Sequence, residues 1–207
     1  MNSSFFAMMS RMKHIERWAL MRNTRQENLS EHSLQVGMIA HALAVISNTR
    51  CHRQLDPSKA ALMGMYHDAS EIITGDMPTP VKYRNPEIQG AFKALEDAAN
   101  QRLLCMLPKD MQPYYQSLFC PEEADAYLWK LVKAADKLSA YIKCIEEATT
   151  GNSEFLSAQQ ATRTILNAMD LPEVTIFMEE VLSSFGKTLD ELTLSKEEQA
   201  VASEDLS

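Results

Sequence analysis

The chain reads as an all-α bundle of about six to eight helices, and three observations say so. Apolar residues recur at helical rather than alternating spacing, as in Leu34, Met38, Ala42 and Val45, or Leu128, Leu131, Val132 and Ala135. Cap and first-turn signals stand in front of the periodic segments, and no run alternates for long enough to argue a strand.

Taken in order, Ser30 is a hydroxyl suited to capping a helix that runs to about Asn48. Asp56-Pro57 sets a cap and a first-turn proline before AALMGMYHDASEI, and Asn85-Pro86 repeats the signal before EIQGAFKALEDAANQRLLCML. A longer helix is predicted from near Pro121 to Thr149, stopped by Gly151. Two more follow in SEFLSAQQATRTILNAM and PEVTIFMEEVLSSF. Two segments resist a regular assignment: Arg17 to Leu29, and TGDMPTPVKYRN, where Gly75, Pro78 and Pro80 interrupt any helix.

At 207 residues, 45% of them apolar, one domain with a sizeable core is expected over residues 1–190. Residues 191–207 form an acidic, small and polar tail in which fraying is expected. A net charge of −8 argues against nucleic acid as a partner, since a phosphate-tracking surface needs clustered Lys and Arg. The one basic cluster, Arg11, Lys13, Arg17, Arg22 and Arg25, is either a solvated face or part of a phosphate pocket. Cys51, Cys105, Cys120 and Cys144 contain no CxxC pair, which fits reduced thiols. Charge interrupts the N-terminal apolar residues too early for a secretory segment, and no stretch is long enough to span a membrane, so a cytoplasmic location is expected.

The chemistry is sought among polar residues that interrupt apolar helices: His32 and His41 on one, His67, Asp68 and Glu71 on the next, Asp136 on a third. Imidazole with carboxylate is the donor set of a catalytic divalent ion. Neighbours His67 and Asp68 differ by about 100° around a helix, yet at a helix end both can turn toward one ion. Singly, each has an ordinary explanation. A histidine on an amphipathic helix is usually a packed, hydrogen-bonded residue, and Asp136 lies between Lys133 and Lys137, where an exposed ion pair would account for it.

The order His32, then His67-Asp68, then Asp136, inside SEHSLQV, MYHDASEIITGDMPTPVK and VKAADKLSAYIKC, resembles the HD-domain superfamily of metal-dependent phosphohydrolases. Together with RWALMRNTRQENLSEHS and GNSEFL, these strings look like the bacterial 5′-deoxynucleotidases of that superfamily. The resemblance implies a helical HD domain and one divalent cation held by His32, His67, Asp68 and Asp136. It further implies a homodimer that releases phosphate from deoxyribonucleoside 5′-monophosphates by metal-activated water.

A phosphate monoester dianion repels a nucleophile, so the catalyst must neutralise phosphate and supply activated water together. Glu71, one helical turn past Asp68, is placed as general acid or base, against the plainer reading of a solvent-facing first-turn charge. Arg17 is suited to orienting phosphate through its paired N–H groups. The resemblance implies that Trp18 crowds the sugar where a ribose carries its 2′-hydroxyl, although a core anchor is the commoner fate of tryptophan. It also implies that Asp76 contacts the 3′-hydroxyl, with Met77, Pro78 and Thr79 completing that wall. A turn aspartate capping backbone amides is the plainer account of Asp76.

No Asn/Gln pair or aromatic clamp demands one nucleobase, so broad base acceptance is expected. His14, His41 and His52 are left outside the ligand set, His41 with a packed or supporting role. Mn, Co, Zn or Fe could each accept these ligands. The competing activities are hydrolysis of deoxynucleoside triphosphates or cyclic nucleotides, or a catalytically silent nucleotide-binding module. Amphipathic elements to spare, such as EVTIFMEEVLSSF, are expected to allow self-association.

Overall fold

The computed structural model describes residues 3–82, 84–120 and 122–193, with the side chains of Thr79 and Pro80 outside that description. Eleven α segments follow in order: α1 Phe5–Met9, α2 Leu29–Arg50, α3 Pro57–Tyr66, α4 Glu71–Thr74, α5 Thr79–Lys82, α6 Pro86–Cys105, α7 Gln112–Phe119, α8 Ala126–Thr149, α9 Leu156–Ala168, α10 Pro172–Glu180 and α11 Leu189–Thr193. Seven of them reach eight residues, within the range read from the sequence. Of the tail, residues 194–207 lie outside the described residues.

Two cap signals act where they were read. The Asp56 carboxylate accepts from Lys59 N at 3.0 Å, and Asn85 Oδ1 from Ile88 N at 2.8 Å, each ahead of a first-turn proline. The cap of α2 is different. Asn28 rather than Ser30 begins it, accepting from Ser30 N and Glu31 N while Glu31 reaches back to the Asn28 N–H, a reciprocal capping box. The long helix α8 begins at Ala126, after a 3-10 turn at Glu123–Asp125, and Pro121 itself lies outside the described residues.

The expectation of no strand also needs correction. Glu16–Arg17 (β1) pairs antiparallel with Glu27–Asn28 (β2), with Arg17 opposite Glu27. A two-residue strand is too short to show alternation, so periodicity could not reveal it.

The centre of the fold is the packing of α2 on α3 and α8. A Cβ added to Gly64 would fall 2.8 Å from Gly37 Cα, so α2 and α3 meet backbone to backbone there. That approach sets the start of α2, with His32, beside the end of α3, with His67. Leu43, Met63, Leu103, Leu131, Leu138 and Ile142 are wholly buried around the crossing, each contributing about 2 kcal/mol by leaving water.

Helix α2 is apolar on more than one side, and periodicity picked the outer one. Val36, Ile39, Ala40, Leu43 and Ala44 face the core, whereas Leu34, Met38 and Val45 are exposed. The apolar side of α10 is not spare: Val174 and Phe177 are buried, and the wholly buried Glu173 accepts from Ser47 Oγ at 2.5 Å and Tyr127 Oη at 3.0 Å. At the N-terminus, buried Phe5 joins Tyr66, Tyr115 and Phe119 at centroid distances of 6.4, 5.4 and 5.9 Å, tying α1 and α7 to α3.

Candidate metal centre

Three elements deliver the cluster. His32 lies in the first turn of α2, His67 and Asp68 follow the last residue of α3, and Asp136 is at mid-length in α8. One ligand atom from each of these four residues lies within 4.8 Å of the others. His32 Nε2 is 3.5 Å from Asp68 Oδ2 and 3.3 Å from Asp136 Oδ1, and His67 Nε2 is 3.0 and 4.0 Å from the same two oxygens.

In both imidazoles Nδ1 is committed to a partner. His67 Nδ1–H donates to the Gly64 carbonyl at 2.7 Å, since that oxygen only accepts. Ser139 Oγ donates to Gln35 Oε1 at 2.6 Å, so its lone pair takes the proton of His32 Nδ1 at 3.0 Å. Each Nε2 is therefore the ring nitrogen left to face the cluster, and neither has a hydrogen-bond partner among the described residues although both are buried. Buried ring nitrogens converging on two carboxylate oxygens fit a cation, which would take the place of the proton that Asp68 favours on His67 and, with neutral imidazoles and two carboxylates, would find its two charges balanced.

Both aspartates are held ionised. Burial penalises the charge of Asp68, but His67 and His32 outweigh it and keep the carboxyl well below the usual carboxylate range. At Asp136 burial is likewise overcome, by His32 and Lys137, whose Nζ donates at 3.0 Å, and its pKa is lowered. Asp136 is thus turned inward with a lysine beside it, rather than being the exposed ion pair its sequence neighbours suggested.

Glu71 begins α4 and is 5% exposed, with Oε2 unpartnered among the described residues. Its burial, joined by the charges of Asp68 and Asp76, pushes its pKa up to about 9 against the pull of Arg17 and Lys82. Positive charge near Asp68 acts in the opposite direction. Glu71 is therefore a carboxyl that keeps its proton at neutral pH when no cation stands beside it.

Arg17 on β1 points at the cluster, its Nη1 3.6 Å from Asp68 Oδ2, with its side chain 11% exposed. Burial opposes its charge, but Asp136, Asp68 and Glu27 more than compensate and raise its pKa. The other basic residues of the segment do not converge with it. Arg22 reaches Glu154, Arg25 lies 3.5 Å from Glu31, and Arg11 and Lys13 are exposed, so the solvated reading applies to them.

Trp18 follows with a left-handed backbone, φ 56°, its indole N–H donating to Glu27 Oε2 at 3.0 Å and its ring 5.3 Å from Phe155. Asp76, Met77 and Pro78 line the segment after α4, each half-buried. Burial, with the charge of Asp68, raises the pKa of Asp76 against the pull of Arg17. The Thr79 side chain lies outside the described ones. His41 is exposed, which removes the packed or supporting role expected of it, and His14 and His52 are exposed too. Sequence reading missed Gln35 and Ser139, whose only signal is their spacing from His32 and Asp136 on the same helices, and also Glu27.

Comparison with known proteins agrees with this arrangement. A family model described as 5′-deoxynucleotidase YfbR-like matches residues 4–185. A 5′-deoxynucleotidase of Yersinia pseudotuberculosis serotype I is 48% identical, over 93% of this chain and 98% of that protein. One from Yersinia pestis (strain Pestoides F) matches to the same extent, 48% over 93% and 98%. Among solved structures, an HD-domain phosphohydrolase of Listeria innocua superposes with a TM-score of 0.76 at 21% identity, covering 88% of both chains. The cyanophage S-2L HD phosphohydrolase DatZ, bound to dA and one catalytic Zn²⁺ ion, gives 0.58 at 19% identity over 86% of this chain and 96% of that one. The chain belongs to the YfbR-like 5′-deoxynucleotidase family and has the helical HD-domain phosphohydrolase fold.

Proposed function

We propose that the chain hydrolyses deoxyribonucleoside 5′-monophosphates to deoxyribonucleosides and inorganic phosphate, with one divalent transition ion held by His32, His67, Asp68 and Asp136. The observation that carries this is the pair of buried, unpartnered Nε2 atoms facing two ionised aspartates. The names of the 48% identical relatives support the substrate class, and the dA and Zn²⁺ bound by the cyanophage protein support a nucleoside beside such a centre. A divalent ion there neutralises phosphate charge and lowers the pKa of water.

In this reading Arg17 orients the phosphate, its guanidinium already aimed at the cluster. Glu71 takes the proton of attacking water or delivers one to the leaving 5′-oxygen, as a buried carboxyl beside the cluster can. Trp18 closes the space of a 2′-hydroxyl. Asp76 accepts from the 3′-hydroxyl, with Met77, Pro78 and Thr79 forming the wall behind the sugar. A chain of three phosphates would call for more cations, and Arg22 and Arg25 are turned away to solvent and to Glu154 and Glu31. Phosphate release from deoxy and ribo forms of mono- and triphosphates tests this. Release from deoxy monophosphates alone is the expected result, and preference for triphosphates would overturn it. Metal content after purification, with activity restored by each of Mn, Co, Zn and Fe, identifies the ion.

Residues 1–190 are proposed to act as one domain, supported by one continuous core among the described residues, and a cytoplasmic location is proposed with it from the reduced-thiol reading of the cysteines. No helix among the described residues is long and apolar enough to cross a membrane. A homodimer is proposed as well, supported by the exposed Leu34, Met38 and Val45 on α2 beside Leu62 and Met65 on α3. Light scattering of the native chain and of Met38→Glu tests it: a monomeric native mass would end the proposal.

A further inference from the structure

The β1–β2 pair places Glu27 directly opposite Arg17. In an extended strand, consecutive side chains point to opposite faces, so Arg17 and Trp18 would ordinarily diverge. The left-handed backbone at Trp18 turns the indole back instead. Such a conformation is costly for a bulky residue and has to be imposed by its surroundings. Two bonds to the Trp18 carbonyl hold it, from Met21 N at 2.9 Å and Asn23 Nδ2 at 3.1 Å.

The side chains then meet on one carboxylate. Glu27 Oε2 accepts from Trp18 Nε1 at 3.0 Å and lies 3.5 Å from Arg17 Nε, while Oε1 is 3.9 Å from His32 Nδ1. The carboxylate is 13% exposed, so water screens it little. Glu27 does not belong to the four-residue cluster, and its Oε2 is the oxygen that faces both Trp18 and Arg17.

We infer that Glu27 is a positioning residue that fixes the indole of Trp18 relative to the guanidinium of Arg17, and thereby sets the selectivity for deoxyribose over ribose. This rests on the function proposed above for Arg17 and Trp18. One group that grips phosphate and another that crowds C2′ discriminate only if the distance between them is fixed. A 2′-hydroxyl is otherwise accommodated by a small swing of the indole. Glu27 supplies that constraint with one oxygen shared between both.

The test compares kcat and KM for a deoxynucleoside 5′-monophosphate and its ribose counterpart in the native chain, Glu27→Ala, Glu27→Gln, Trp18→Phe and the double variant Glu27→Ala with Trp18→Phe. Metal content is measured for each. In Glu27→Ala the deoxy-over-ribo ratio of kcat/KM is expected to fall about tenfold, the loss of one positioning bond, with metal content unchanged. Trp18→Phe, which keeps a ring but removes the N–H, should lower the ratio similarly, and the double variant should add little. Glu27→Gln keeps an oxygen for the indole but loses the charge facing Arg17, so KM should rise for both sugars with the ratio largely kept.

An unchanged ratio in Glu27→Ala, or a parallel loss for both sugars accompanied by loss of metal, overturns the inference. If Glu27→Ala does not fold, an unchanged ratio in Trp18→Phe overturns it equally. A native enzyme that does not discriminate between the sugars would instead sink the underlying functional reading, so the two failures are told apart.

Discussion

The His/Asp cluster and the proposed substrate wall are built by opposite means. The cluster takes His32 and Asp136 from the 22- and 24-residue helices α2 and α8, and His67 and Asp68 from the end of α3, pressed against α2 at Gly37 and Gly64. Of the proposed wall, Arg17 and Trp18 come from the two-residue β1 and the residue after it, where side-chain bonds hold Trp18, and Asp76, Met77 and Pro78 come from the segment between α4 and α5. Long helices fix where a short ligand points because the core fixes the helix. A loop needs local anchors, and Glu27 provides one for Trp18 while Glu147 holds Thr24. Damage to the first region should therefore abolish activity, while damage to the second should degrade selectivity and stability by graded amounts.

The largest effect is expected within the cluster. Asp136→Asn removes one of two charges that balance a divalent ion, so metal content should fall to near background and kcat/KM by roughly ten-thousandfold. Normal metal content in that variant would detach Asp136 from the centre. Glu71→Ala comes next: it should keep the metal yet lower kcat by about a hundred- to ten-thousandfold, the usual worth of a positioned acid or base. Full activity would remove Glu71 from the mechanism.

Gly64→Ala probes what connects the cluster to the core. Its Cβ would meet Gly37 Cα at 2.8 Å and Gly37 N at 2.9 Å, backbone atoms that cannot step aside. The helices must separate, and His67, whose Nδ1–H is held by the Gly64 carbonyl, moves with them. Overpacking should cost about 1–3 kcal/mol of stability, and the disturbed imidazole about ten- to a hundredfold in metal affinity. Calorimetric unfolding and metal titration measure the two separately, and native affinity in a destabilised variant would show that the crossing supports the fold without tuning the site.

The same contrast governs what the sequence could reveal. Helix-borne parts announce themselves: Asp56-Pro57 and Asn85-Pro86 start α3 and α6 where their chemistry says, and the four cluster residues stand in order along the chain. Several features gave no such signal. Leu34, Met38 and Val45 repeat at helical spacing yet are exposed, because spacing shows that a helix has an apolar stripe and not which stripe meets the core. The cap of α2 is Asn28 because β2 ends there, a tertiary fact that Ser30 could not disclose. Helix α7, in a stretch with Pro113 and no periodic run, depends on the aromatic contacts of Phe5 with Tyr115 and Phe119. Glu27 and Glu147 are ordinary acidic residues until folding brings partners to them.

Glu147 gives the smallest effect on activity and the sharpest test of the loop anchors. It is 1% exposed in α8 and accepts from Thr24 N at 2.9 Å, Thr24 Oγ1 and Asn152 Nδ2 each at 2.7 Å, and Lys143 Nζ at 2.5 Å, while Lys143 also donates to the Arg25 carbonyl. Burial opposes its charge, but Lys143, Asn152 and Thr24 outweigh it and hold the carboxyl well below its ordinary pKa of 4.5. Because the folded pKa is the lower one, the stabilisation is fully present above pH 4.5 and is lost as pH falls below it toward the folded value. Glu147→Gln leaves the Lys143 charge buried without its counter-ion and should cost about 3 kcal/mol at pH 7. The difference in melting temperature between native and variant should shrink as the pH is lowered from 6 toward 3, because Glu147 takes up its proton in the unfolded chain while the folded carboxylate stays ionised. With metal content unchanged, kcat for the deoxy substrate should drop only severalfold, since the loosened segment between Trp18 and Glu27 lies outside the cation cluster. A pH-independent difference in melting temperature would mean that Glu147 acts by shape alone and that its charge does not hold the loop.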